Sequence, residues 1–316
     1  MKLTGWLLVT LTVLLAGECW GAAAGSTDRW NALADVVFEH LARDNELPNS
    51  TAPTALAEDG EGFLWVGTQN GLARWDGYRF RSYKADPSIP GTLPDNVVKK
   101  LHTDGLGRLW VATNSGGLAL YNRDHDRFVT YSAGQSGLSS ASLRDVIDDG
   151  AGGVWIATDA GLDHLHADAG RIDHLRHDAA DPDTLPDNRI RALFRDSDGT
   201  LWVGTAAGLV RREVASNRFV PVPLGLPPGR IAVAWSFFQD SAGRVWVGTV
   251  RQGAFVVDLK QHTTRSILES NVPQSTLQTE GIHAIAEVRP GTIWLGTDGH
   301  GIVAVDTATF QTRRIR

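Results

Sequence analysis

Short apolar segments separated by turns rich in glycine and aspartate recur along most of the chain. The stretch NRIRALFRDSDGTLWVGTAAGLVRREVASNRFVPV, residues 188–222, is one such unit. Ile190, Leu193 and Phe194 lie in a first segment, DSDG forms a turn, and LWVGT, GLVRREV and RFVPV are three further segments of strand length. Segments this short and this rich in Val, Ile, Trp and Thr favour strands over helices. The pattern predicts four strands joined by tight turns.

A tryptophan between apolar residues, followed by a small residue and a threonine, recurs six times. Consecutive tryptophans are 44 to 48 residues apart, a period that fits paired helices or a four-stranded propeller blade. The strand-like segments and the 34 glycines favour the blade. The sequence therefore predicts an all-β fold, a β-propeller of four-stranded blades in which six repeats are visible. The structural repeat residues are Trp65, Trp110, Trp155, Trp202, Trp246 and Trp294.

The repeated positions have structural interpretations. A tryptophan is large enough to fill the space between two stacked sheets, and the Gly or Ala after it leaves room for the next blade. The threonines are expected to satisfy backbone groups at strand ends, and an aspartate opens the turn before each tryptophan strand. The last unit departs from this rule because Val288 replaces the aspartate. We therefore expect the tryptophans to stack blades rather than to bind ligand.

The first 24 residues differ from the repeats. Lys2, the apolar run 7–16 and the small residues around Ala22 and Ala24 match a secretory signal peptide. The run is shorter than the roughly 20 apolar residues of a membrane span. We predict a signal peptide at 1–24, a linker at 25–37 and a β-propeller domain at 38–316. The protein is expected in the periplasm or elsewhere outside the cytoplasm, with a membrane anchor only if the native chain is longer.

Composition narrows the function. The only cysteine and the only methionine are Cys19 and Met1, so the mature chain would lack both, which excludes disulfides and thiol chemistry. The net charge of −6 gives no general attraction to nucleic acid. No GxSxG, HExxH or phosphate-loop motif is present, so we predict neither an enzyme nor a cofactor.

The segment LPDNVVKKLHTDGLGRLWVATNSGGLALYN, residues 93–122, resembles the two-component regulator propeller repeat. This repeat occurs in periplasmic sensor regions of bacterial hybrid histidine kinases and of some diguanylate cyclases, and the resemblance covers roughly residues 38–316. It implies an extracytoplasmic ligand-sensing propeller of a signalling receptor. Members usually carry two seven-bladed propellers, an immunoglobulin-like domain, a membrane helix and a kinase or cyclase. The parts after the propellers are absent from this sequence.

The number of blades at closure has two interpretations. Residues Phe38 to Leu41 look like the fourth strand of a blade, yet the sixth unit has a fourth strand of its own in FQTRRIR. An unpaired strand edge invites aggregation. We therefore expect a chain that stops before its last blade or blades, and a closed six-bladed ring is the alternative.

Equivalent positions in the innermost strands predict a ring of side chains around the axis. Counting five residues back from each turn aspartate, and from Val288 in the last unit, identifies Thr54, Lys99, Arg144, Arg191, Trp235 and His283. Three permanent cations and a histidine would form a positive channel mouth suited to a carboxylate or sulfate. The alternative is local pairing with Asp145, Asp95 or Asp187. We predict a ligand site at Lys99, Arg144, Arg191, Trp235 and His283.

A histidine-rich hairpin, DHLHADAGRIDHLRH at 163–177, is the weaker candidate site. With a turn at 167–170, His164 and His166 would share a face and His174 would lie roughly opposite His164. Such a trio could hold zinc or copper. Exposed histidines on outer strands are common, so the main expectation is that no metal is bound.

Three functions remain open. The first is the sensor, which would bind a small molecule, either an oligosaccharide or an anionic ligand, or a partner protein. The second is a secreted propeller enzyme resembling streptogramin lyases, with His283 as its acid or base. The third is a structural or protein-interaction propeller. A homodimer through the propeller is compatible with each, and a nucleic-acid partner is not expected.

Overall fold

Four-stranded antiparallel sheets make up the part of the chain that the structure describes. The structure is a computed structural model, which describes residues 53–134, 137–166, 170–213, 216–268 and 276–315. The first three sheets are formed by β1 (Ala55–Glu58), β2 (Leu64–Thr68), β3 (Gly71–Trp75), β4 (Phe80–Tyr83), then β5 (Val98–Thr103), β6 (Leu109–Thr113), β7 (Leu118–Asn122), β8 (Arg127–Tyr131), then β9 (Leu143–Asp148), β10 (Val154–Thr158), β11 (Gly161–Leu165) and β12 (Ile172–Leu175).

Three further sheets follow in the same order. They are formed by β13 (Ile190–Arg195), β14 (Leu201–Thr205), β15 (Gly208–Arg212), β16 (Phe219–Pro221), then β17 (Ala234–Gln239), β18 (Val245–Thr249), β19 (Ala254–Asp258), β20 (Thr263–Ser266), then β21 (Ile282–Arg289), β22 (Thr292–Thr297), β23 (Ile302–Asp306) and β24 (Thr312–Ile315). One short 3₁₀ helix, Thr276–Thr279, precedes the sixth sheet.

The six sheets are the blades of a β-propeller, which confirms the predicted fold class. Each blade is a meander in which consecutive strands pair, so the first strand is innermost and the fourth is outermost. The last blade includes the predicted fourth strand, β24. Within the described residues no helix is long and apolar enough to cross a membrane. The predicted signal peptide, the linker and the strand at 38–41 lie outside those residues.

The hydrophobic core consists of five clusters, and each one lies between a blade and its successor. Trp65 packs with Leu101 and Val111 of the second blade, and the tryptophans of the next four blades are placed in the same way. These five indoles are at most 5% exposed. Trp294 of the sixth blade belongs to none of the clusters formed by the described residues and is partly exposed.

The small residue after each tryptophan allows this close approach. A Cβ built on Gly67 would lie 2.6 Å from Val98 Cγ1 of the second blade, and one on Gly248 would lie 2.8 Å from Ile282 Cβ of the sixth. Both distances are shorter than side-chain contacts allow. Glycine at these positions is therefore required by the approach of the next blade.

The repeat threonines close the turn between the second and third strands. In every blade the threonine Oγ1 donates a hydrogen bond to the carbonyl of the glycine that starts or precedes the third strand, as from Thr113 to Gly117 at 2.7 Å. Gly117 has a φ of +87°, and a Cβ there would lie 2.3 Å from the Tyr131 carbonyl oxygen. The Thr–Gly pair thus fixes a turn that a larger residue would disrupt.

A hydrogen bond that the sequence pattern did not predict joins the turn aspartate to the tryptophan. In blades one, two, four and five the indole Nε1 donates to the aspartate Oδ2 at 2.7 to 2.9 Å. The other carboxylate oxygen accepts two backbone N–H groups of the turn, for example those of Glu61 and Phe63 on Asp59. One buried carboxylate therefore satisfies three donors and ties the turn to the core of the blade.

Candidate functional site

The innermost strands surround a cavity of about 910 Å³. Residues from all six blades line it, from Pro53 and Thr54 in the first to Ile285 in the sixth. All six side chains of the predicted ring are among the lining residues: Thr54, Lys99, Arg144, Arg191, Trp235 and His283. The structure thus brings together the residues that occupy equivalent positions in the six repeats. Their role in ligand binding stays a prediction.

A β-bulge explains why these side chains are set apart from their neighbours. In the second blade Val98 pairs with Thr113 and Lys100 with Ala112, which leaves Lys99 as an extra residue. The same irregularity occurs at Arg144, Arg191, Trp235 and His283 in the blades that follow. A bulged residue makes no ladder pair and its side chain is re-aimed. Five inner strands therefore present one extra side chain each at the same level of the cavity.

The cations of the ring are only partly neutralised. Arg144 donates to both oxygens of Asp159, at 3.2 Å from Nε and 2.8 Å from Nη2, and Arg191 Nη1 lies 3.6 Å from Oδ1 of the same carboxylate. Lys99 makes no ion pair with any described residue. Burial alone would raise the pKa of Asp159, but the Arg144 and Ser142 hydrogen bonds and the Arg191 charge hold it below its ordinary value. Two arginines thus share one carboxylate beside an unpaired lysine.

The local-pairing alternative named three other carboxylates, and the structure corrects it. Asp145 lies 3.3 Å from Lys100 rather than from a ring residue, and Asp187 pairs with Arg189. Asp95 accepts from the Ser115 hydroxyl and backbone N–H. The carboxylate that pairs with the two arginines of the ring, Asp159, follows β10. It was missed because a contact across the blade leaves no signal in the spacing of the inner strands.

The other side of the ring is aromatic. The Trp235 and His283 rings meet edge to face, with centroids 5.7 Å apart, and Trp235 is 47% exposed although it is a large apolar residue. His283 Nε2 lies 3.8 Å from Asp298 Oδ1, and both side chains are more than half exposed. An exposed tryptophan beside a cationic rim is a surface that can stack on a ring-shaped ligand.

Two further levels of the cavity follow along the inner strands. Lys100 and Asp145, 3.3 Å apart, come directly after the ring, and beyond them the stacked apolar rings of Phe194 and Phe237 lie 5.9 Å apart. Arg195, four residues after Arg191 and about 13 Å along the strand, pairs with Asp148 at 3.8 Å, while His102 Nε2 lies 3.1 Å from the same carboxylate. The cavity therefore has a cationic and aromatic level, an apolar level and a second charged level. The apolar level and the second charged level could have been predicted from the sequence by counting positions from the turn aspartate in the same way as for the ring.

The histidine hairpin forms, but in a different register from the one predicted. His164 pairs with Asp173, and His174 pairs with Asp163. A shift of one residue moves a side chain to the other face of the sheet. His174 therefore lies away from His164 and His166 and contacts buried Asp163 at 2.7 Å and the Ser139 hydroxyl at 2.9 Å. The grouping of His174 with the other two was wrong, because the spacing of the histidines does not fix the register of the two strands. Residues 167–169 of the predicted turn lie outside the described residues.

Comparisons with known proteins agree on the repeat and on the fold. Residues 46–70, 184–207 and 225–251 match the family described as two component regulator propeller, which confirms the resemblance found in the sequence for these three segments. No curated protein matches the chain significantly.

Among solved structures, the extracellular domain of the putative hybrid two component system BT3049 from B. thetaiotaomicron has a TM-score of 0.73 and 22% identity, with 88% of this chain covered. That of the putative one component system BT4673 has a TM-score of 0.68 and 21% identity, with 84% covered. The chain spans 36% of the length of each. A catalytically inactive virginiamycin B lyase from Staphylococcus aureus, solved with quinupristin, has a TM-score of 0.64 and 14% identity, with 87% of this chain and 86% of that chain covered. At these identities the likeness shows the fold.

Proposed function

We propose that this chain is the extracytoplasmic ligand-sensing propeller of a bacterial two-component-type receptor, exported by the segment 1–24. Its repeats belong to the two-component regulator propeller type, and two similar structures are extracellular domains of putative one- and two-component systems. The propeller would act by binding a ligand, without turnover.

The ligand we propose is an anionic small molecule, such as a carboxylated or sulfated oligosaccharide. The observation that carries this proposal is the convergence of bulged Lys99, Arg144 and Arg191 on one side of a cavity whose other side presents Trp235. Guanidinium and ammonium groups recognise carboxylate and sulfate, and an exposed indole offers a flat apolar face to a sugar ring.

A binding experiment with matched ligands and matched variants tests the proposal. Calorimetry would compare an acidic disaccharide, its sulfated form and the neutral parent on the same protein. The charged ligands should bind with a salt-dependent affinity, and Lys99→Gln and Arg191→Gln should each weaken binding about tenfold. Lys84→Gln is the control, because Lys84 is an exposed lysine that does not line the cavity. Equal binding of charged and neutral sugars, or an equal loss in the control, would contradict the anionic ligand.

The receptor part of the proposal has a separate test. Native material detected with an antibody to residues 38–316 should partition with membranes and be far heavier than the 34.1 kDa of this chain. A soluble species slightly lighter than that mass would instead indicate a secreted propeller.

A secreted enzyme is the second candidate, favoured by the likeness to virginiamycin B lyase over 86% of that protein and by His283 in the cavity. The His283 and Asp298 side chains are exposed and 3.8 Å apart, a weak arrangement for an acid–base pair. Incubation with quinupristin should give no product. Product formation that His283→Ala abolishes would replace the sensor by the enzyme.

A further inference from the structure

One face of the hairpin in the third blade collects metal-ligating side chains away from the cavity. His164 and His166 are two residues apart on β11 and at its end, and Asp173 on β12 pairs directly with His164. One ligand atom from each of the three residues lies within 4.8 Å of the others. The cross-strand register brings them together because alternate residues of one strand and the partner of the first share a face.

The His164 ring is already held in the way that metal-binding histidines usually are. Its Nε2 lies 2.8 Å from Asp149 Oδ2, and the ring stacks on Trp155 with centroids 3.8 Å apart and an interplanar angle of 12°. A carboxylate that accepts one ring N–H fixes the tautomer and leaves the lone pair of the other nitrogen for a metal.

A guanidinium lies next to the other two candidate ligands. Arg171 Nη2 is 3.1 Å from both His166 Nε2 and Asp173 Oδ2, and those two atoms are 2.8 Å apart. This side chain is 64% exposed, so it can move into solvent without disturbing the blade. Arg171 thus supplies the positive charge that a bound cation would supply in its place.

We infer that His164, His166 and Asp173 form a binding site for a divalent transition-metal ion, Zn²⁺ or Cu²⁺, which displaces the Arg171 guanidinium. Two imidazoles and one carboxylate are ligands that these ions accept, and three protein ligands leave a position for water or an outside ligand. Zn–N and Zn–O bonds of about 2.0–2.2 Å place tetrahedral ligand atoms roughly 3.3–3.5 Å apart, so the His166 and Asp173 atoms, now 2.8 Å apart, must separate slightly. The Asp173 side chain is 46% exposed and that of His166 is partly exposed, which allows this small movement.

Titration of the chelator-treated chain with Zn²⁺ and with Co²⁺ tests the site. We expect one equivalent to bind, and Co²⁺ to show a visible absorption band that reports direct coordination by imidazole. Loss of a ligand in His166→Ala or Asp173→Asn should weaken Zn²⁺ binding at least about tenfold and remove the band. Arg171→Gln should strengthen binding, because a competing cation is gone.

His174→Ala is the matched control. It removes a histidine from the opposite face of the same hairpin and should leave the affinity unchanged. The thermal midpoint of each metal-free variant separates loss of binding from loss of the fold. Stoichiometric binding that is unchanged in His166→Ala, an equal loss in His174→Ala, or no binding of either ion would overturn the inference.

Discussion

The regular blades and the sixth blade use the same tryptophan differently. In the fourth blade Trp202 is fully buried against the fifth blade, and its Nε1 donates to Asp196 at 2.9 Å. In the sixth blade Trp294 is partly exposed, and its buried Nε1 has no hydrogen-bond partner among the described residues. Both blades have an apolar residue on each side of the tryptophan, followed by Gly and Thr, so the contribution of the tryptophan depends on the turn before it and on the blade beside it.

The third blade is a second departure, and it differs in kind. Asp149 is present there, but His164 rather than Trp155 bonds to it, and the indole stacks on the imidazole. The carboxylate keeps its role in the turn through the N–H groups of Ala151 and Gly153. The blade thus retains its structure while a histidine is placed where the proposed metal site needs it. In the third blade the turn aspartate thus keeps a side-chain donor, whereas the sixth blade has no aspartate at this position and its indole Nε1 has no partner among the described residues.

The largest expected effect comes from truncating the tryptophan in a regular blade. Trp202→Ala should lower the free energy of unfolding by about 4 kcal/mol, because it opens a cavity between two blades. Trp294→Ala should cost roughly half as much, since that indole is only partly buried. Urea unfolding of both variants measures the difference. Equal losses would show that the sixth tryptophan is packed as well as the others.

A smaller change isolates the hydrogen bond from the packing. Trp110→Phe removes the 2.8 Å donor to Asp104 and should cost about 2 kcal/mol, the value of a buried bond to a charged group. Trp294→Phe removes a donor that has no partner and should be within about 0.5 kcal/mol of neutral. If Trp294→Phe destabilises the protein as much as Trp110→Phe does, the indole N–H of Trp294 must have a hydrogen-bond partner, and the comparison between the two blades fails.

The pH dependence should distinguish the third blade from the others. Burial lowers the pKa of His164 below 6.5, so the unfolded chain takes up its proton first and stability falls as the pH drops below about 6.5. Hydrogen bonds hold the Asp104 carboxyl below its ordinary pKa against the effect of burial, so its contribution is lost only at a lower pH, near or below 4. The free energy of unfolding measured at pH 7, 6 and 5 should therefore fall by up to about 1.4 kcal/mol per pH unit. The variant His164→Gln should reduce this slope. An unchanged slope in that variant would assign the effect to another histidine.

Much of the fold followed from the sequence because the repeat is local. The strand segments in 188–222, their turns and the Trp period specify a four-stranded blade, and the bulge places equivalent residues around the axis. The side-chain partners of individual residues could not be predicted from the sequence. Arg144 donates to Asp159 across the blade, and the position of His174 depends on the register of its hairpin. The hydrogen bond from Trp65 to Asp59 depends on side-chain orientation, which residue spacing does not predict. Periodicity predicts positions, whereas the choice of partner depends on side-chain geometry.

The smallest expected effect separates a binding residue from a structural one at the same level of the cavity. Lys99 has no ion pair among the described residues, so Lys99→Gln should change the free energy of unfolding by less than about 0.5 kcal/mol. Asp159→Asn removes the shared partner of Arg144 and Arg191 and should cost about 1 kcal/mol, a value reduced by the exposure of these side chains. Thermal and urea unfolding of the two variants measure this contrast. A Lys99→Gln variant that loses the acidic ligand but keeps its stability would show that the bulge presents this lysine for binding, whereas a clear loss of stability would assign Lys99 to the fold.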